Sequence, residues 1–80
     1  MGTSAKEHPV AKWMRDSEYD DVRFVVALKR VGRKARPDYI AEVVSGYYPP
    51  SRKLALAMEE VTGIDAGEIL TYPYRAKRAR

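Results

Sequence analysis

Lys29, Arg30, Arg33, Lys34 and Arg36 place five cations within eight residues with no acid between them, and Arg75, Lys77, Arg78 and Arg80 place four more in the last six. Ammonium and guanidinium groups gathered in this way are suited to phosphate oxygens, through point charge and through the forked donors of arginine. The remainder of the chain is close to neutral or acidic: residues 1–28 hold four basic and five acidic side chains, and residues 37–74 hold two and six. The net charge of +4 therefore resides in two islands, the footprint expected for a polyanionic partner. The competing reading is a solvated basic turn followed by a solubilising tail. Little else in the chain is equipped for chemistry. There is no cysteine and a single histidine, His8, so neither a thiolate nor a histidine metal site can be assembled, and no nucleophile lies beside a candidate base. A hydrolase or metalloenzyme is not expected on these grounds, nor is a cofactor, a metal or a small-molecule substrate.

The elements that must position the cations belong to one small domain of 80 residues and 9.1 kDa. The longest apolar run, Phe24–Leu28, is far too short to span a membrane. The first residues lack a signal-peptide core, and Lys6 stands where N-myristoylation wants Ser or Thr, so a soluble, cytoplasmic chain with no membrane partner is expected. Residues 1–8 read as a flexible N-terminus, with His8 exposed ahead of Pro9, residues 9–73 as the domain, and residues 74–80 as a basic flexible tail.

Five short helices are expected. Pro9 opens the first, with Val10, Trp13 and Met14 at helical spacing and an end near Asp16 or Ser17. Asp20 and Asp21 start the second, whose apolar face is Phe24, Val25, Leu28 and Val31, although Phe24-Val25-Val26 is also compatible with a strand. Gly32 stops it. Pro37 opens the third, over about 37–44, carrying Tyr39, Ile40, Val43 and Val44 and ending at Ser45-Gly46. Ser51 caps the fourth, which carries Leu54, Ala55, Ala57, Met58 and Val61 and ends at Gly63-Ile64 in the manner of a Schellman motif. Asp65 with Glu68 resembles a capping box for a fifth. The expectation is a compact all-α bundle with a stability of about 3–5 kcal/mol.

Lys12-Trp13-Met14, then Tyr39-Ile40-Ala41-Glu42-Val43-Val44-Ser45-Gly46, then Pro49-Pro50-Ser51 through Leu54-Ala55 to Glu59-Glu60-Val61-Thr62-Gly63-Ile64 resemble the Cro and phage-repressor helix-turn-helix family, the lambda-repressor-like domains of the xenobiotic-response-element type. The resemblance covers about residues 9 to 72 and is strongest after residue 39. It implies that the second and third helices form a DNA-binding pair with the third in the major groove. It also puts Ala35, Ile40 and Val43 at buried positions, and Arg36, Pro37, Asp38, Ala41 and Glu42 at positions facing bases. Tyr47 and Tyr48 fall where relatives often place phosphate-binding arginines. The spacing from Gly32 to Ser45 is about two residues longer than in the family, and the second helix carries Val25-Val26 and lacks the family's glutamine.

Together the resemblance and the basic islands imply a transcriptional regulator of double-stranded DNA, homodimeric on a pseudo-palindromic operator and of repressor or prophage type. Its DNA-binding residues would be Arg33, Lys34, Arg36, Pro37, Asp38, Ala41, Glu42, Tyr47, Tyr48 and Arg52. Because the chain has no Asn or Gln, bidentate reading of adenine is not open to it. Arginine or lysine on guanine, Asp38 or Glu42 on cytosine, and Ala41 or Pro37 on a thymine methyl remain. The alternative is the same fold serving as a protein-interaction module through the acidic third helix and the tyrosine pair.

Overall fold

The computed structural model describes residues 7–75. They form α1 (Pro9–Asp16), α2 (Asp21–Arg30), α3 (Pro37–Val44), α4 (Arg52–Thr62) and α5 (Ala66–Leu70), with no strand among the described residues. The bundle is all-α, as the periodicity requires.

Each helix buries a stripe against a common core. Val10 and Met14 of α1, Phe24 and Leu28 of α2, Ile40 and Val43 of α3, Leu54, Ala55, Ala57 and Met58 of α4, and Ala66 and Ile69 of α5 make one cluster. Helix α1 packs on α3, α4 and α5, while α2 packs on α3 and α4. Trp13 sits half-buried at the edge, 4.9 Å from the ring of Tyr19 and 6.1 Å from Phe24. The β-branched run in α2 is helical because the Asp20 side chain accepts from Arg23 N–H at 2.8 Å and because Phe24 and Leu28, one turn apart, enter the core together.

The helix ends adopt two different schemes. After α3, Gly46 N–H donates to Val43 C=O and Tyr47 N–H to Glu42 C=O, the paired bonds of a Schellman ending, with Gly46 at φ +87°. Gly32 ends α2 in the same way, and so does Glu18 after α1, a non-glycine residue held at φ +59°. The ending expected at Gly63-Ile64 is instead a single-bond left-handed cap. Gly63 N–H reaches Glu59 C=O, but Thr62 Oγ1 intercepts the Ile64 N–H at 3.0 Å. The capping box expected at Asp65 also does not form, since the Asp65 side chain makes no cap bond and its backbone carbonyl receives the Glu68 N–H.

The largest departure lies at the two chain ends. His8, expected exposed, is 2% exposed, and Tyr74, expected to begin the tail, is half-buried. His8 Nδ1 accepts the Val10 N–H at 3.1 Å and so caps α1, which leaves the ring proton on Nε2. Nε2–H then donates to the Tyr74 hydroxyl at 2.7 Å, and that hydroxyl donates to Ile69 C=O at 2.8 Å. Burial holds the Tyr74 phenol well above its ordinary pKa. The strap Tyr72–Arg75 also crosses the end of α3, where Arg75 N–H donates to Gly46 C=O at 2.9 Å. Residues 1–6 and 76–80, where most of the N-terminal segment and of the basic tail fall, lie outside the described residues.

Candidate nucleic-acid interface

The basic island occupies the join between α2 and α3. Lys29 and Arg30 form the last turn of α2, where cations complement the helix dipole. The bond from Arg33 N–H to Leu28 C=O reverses the chain, and residues 31–36 then run without regular structure to Pro37. Ala35 is half-buried and packs against the core, which pins the middle of this connection and leaves Lys34 and Arg36 exposed on either side. Arg33 is half-buried. Val25, Lys29, Lys34, Ala35 and Arg36 line a cleft of about 370 Å³ with an apolar floor and a cationic rim.

Charge in the island is largely uncompensated. Among the described residues Lys29, Arg30, Arg33 and Lys34 make no ion pair, whereas Arg36 Nε lies 3.5 Å from Asp38 Oδ1. That pair is about four-fifths exposed, so its attraction is small and readily exchanged for another anion.

Helix α3 is sorted cleanly into two faces. Ile40 and Val43 are fully buried and Tyr39 and Val44 half-buried, while Pro37, Asp38 and Glu42 are exposed and Ala41, half-buried, lies between them on the outer side. The residues named from the sequence as base-facing thus share one surface, and Ile40 and Val43 occupy the core as expected, with Ala35 at its margin. The Asp38 carboxylate accepts from Tyr39 N–H at 3.0 Å and lies in the first turn, where the dipole favours an anion. Eight residues make α3 about 12 Å long.

Beyond α3 the arrangement is different. Tyr47 and Tyr48 stack edge to face at 4.5 Å, with Tyr47 43% exposed. Arg52 is exposed at the start of α4, across the Pro49-Pro50 loop and apart in sequence from the island. Sequence reasoning missed the strap that crosses the end of α3. Its only sequence signals were the pair of tyrosines at 72 and 74 and the histidine sixty-six positions before the second of them.

The described residues contain no cluster of His, Cys, Asp or Glu able to hold a metal ion, and none of their helices is long and apolar enough to cross a membrane. Compared with protein-family models, curated proteins and solved structures, the chain finds no match.

Proposed function

We propose that this protein is a sequence-specific regulator of double-stranded DNA that lays α3 in the major groove and acts as a homodimer in the cytoplasm. The observation that carries the reading is the juxtaposition of a clean, solvent-facing side of α3 with an ion-pair-poor run of cations at its N-terminal end. Arg33, Lys34 and Arg36 hold phosphates or guanine, and Asp38 and Glu42 accept from cytosine amino groups. The Ala41 methyl and the Pro37 ring meet thymine methyls. Tyr47 and Tyr48 donate hydroxyl protons to a phosphate beyond the far end of the helix. A monomer presenting one eight-residue helix reads too few base pairs to be selective, which is the argument for a dimer.

Selection from a random duplex library, with affinities for the winning and a scrambled duplex then measured across a salt series, tests this. The expected result is an inverted repeat with half-sites about one helical turn apart and a steep fall of affinity with salt. Failure to bind any duplex at low salt would sink it. One observation favours a second reading: Asp38 and Glu42 are both exposed on the same face and repel phosphate. A protein-interaction module would use that acidic face with Tyr47, and would bind a basic partner with no duplex affinity.

A further inference from the structure

Helix α4 has its charges at the wrong ends. Arg52 and Lys53 occupy its first turn and Glu59 and Glu60 its last, with neither an acid at the start nor a base at the finish to complement the dipole. Leu56 lies midway between them and is 48% exposed. At 3.6 residues per turn these five side chains share an arc of about 120° on the outer face of the helix. Arg52, Lys53 and Glu60 are exposed and Glu59 is half-buried. The helix itself supplies no partner, because the positions one turn inward from all four are Ala55, Leu56 and Ala57. None of the four makes an ion pair among the described residues.

The pattern is antisymmetric about Leu56. Arg52 and Glu59, seven residues apart, flank it on one side, and Lys53 and Glu60, also seven apart, flank it on the other. A two-fold axis that sets two such helices antiparallel and face to face keeps each flank on its own side and exchanges the ends. Arg52 of each copy then meets Glu59 of the other and Lys53 meets Glu60, around a central Leu56 pair. A parallel arrangement would oppose like charges. The antiparallel one also sets opposed helix dipoles side by side and gives every charge that its own helix disfavours a counter-ion.

We propose that the outer face of α4 is a self-complementary surface on which a second copy of this chain docks antiparallel, with Leu56 on the two-fold axis. The inference rests on the dimer in the function proposed above and not on its DNA contact. It gives Arg52 a carboxylate of the second copy in place of a phosphate. A face one helix wide falls short of the roughly 800 Å² per partner of a stable interface. The association is therefore weak in free protein and best caught covalently.

The chain has no cysteine, so Leu56→Cys in the full-length protein reports the contact directly by disulfide formation under mild oxidation, without DNA. Val22→Cys, 60% exposed on α2, is the control for random collision. The expected result is dimer formation at least about tenfold faster for Leu56→Cys than for Val22→Cys, and a loss of that advantage when Arg52→Glu/Lys53→Glu or Glu59→Lys/Glu60→Lys is added. Mixing the two charge-reversed proteins restores cross-linking to within about twofold of the parent, since each then supplies what the other lacks. Far-ultraviolet circular dichroism checks that every variant is helical, and Lys53→Glu alone serves if a double variant is not. Equal rates at positions 56 and 22, or indifference to charge reversal, would overturn the proposal. An inverted-repeat operator obtained alongside that failure would leave the DNA reading standing with a different dimer face.

Discussion

Protonating His8 requires a hydrogen on Nδ1, the atom that accepts the Val10 N–H, inside a site that is 2% exposed. Burial accordingly lowers its pKa from 6.5 to about 4. In the unfolded chain the imidazole binds its proton near the ordinary value, so between those limits the unfolded state holds more protons. The stabilisation from His8 is complete above pH 6.5, declines as the pH falls, and is gone below about 4. A loss on the order of 3 kcal/mol across that window is expected, a large share of the stability of so small a domain. Urea titrations from pH 7 to 4 check it, and His8→Asn, which keeps a capping side chain without titrating, should flatten the profile. Glu18 offers the opposite opportunity. Its φ of +59° is unfavourable for any side chain and natural for glycine, so Glu18→Gly should raise stability by about 0.5–1 kcal/mol, visible as a higher urea midpoint at unchanged slope.

Helix α3 is held at its two ends by different means, and each end has its own test. At the N-terminus Arg36 occupies the cap position without any side-chain bond to the free N–H groups, a poor choice for stability and a sensible one for contact with an anion. Arg36→Ser should therefore stabilise the fold by about 1 kcal/mol while weakening duplex binding by about 1–3 kcal/mol. Thermal melts and duplex titrations on the same preparation separate the two effects, and a variant that gained or lost both together would contradict this account of the helix end. At the C-terminus, Gly46 is constrained twice, by φ +87° and by the Tyr72 ring, whose Cε2 lies 2.9 Å from where a Cβ would stand. Gly32 has a similar φ of +89° but open space around it. Gly32→Ala should cost about 1–2 kcal/mol, and Gly46→Ala clearly more, because the strap must also shift. Denaturant midpoints of the two variants make the comparison.

For the whole molecule, the strap ties the end of the described chain to α1, α5 and the end of α3. Arg75 N–H donates to Gly46 C=O at the end of α3, and the cations at 77, 78 and 80 follow it in the sequence. Deleting residues 76–80 should lower affinity for all duplexes alike and flatten the salt dependence, leaving the melting temperature unchanged. Deleting from Tyr74 onward should in addition lower the melting temperature, since it removes the bonds to His8 and Ile69. Much of this organisation is legible in the sequence. Pro9, Asp20, Pro37 and Ser51 announce four helix starts, and apolar residues three and four apart name nearly the whole core. The apolar spacing in α3 marks Ile40 and Val43 for the core, and that leaves Pro37, Asp38 and Glu42 exposed on the other side of the helix. His8 escapes such reading because one imidazole beside a proline carries no local signal of burial, and its partner lies sixty-six positions away.

The sequence by itself determined the five-helix, all-α class, the two basic islands, and the absence of the amides that read adenine, because periodicity, capping chemistry and composition act over a few neighbouring residues. Only the tertiary structure decided that His8 and Tyr74 close the bundle and that Gly46 lies beneath Tyr72. The same holds for Leu56, which stays outside the core between charges that make no ion pair among the described residues. Which face of an amphipathic helix is covered, and which chain end folds back, depends on contacts between residues far apart in sequence, where local spacing carries no information.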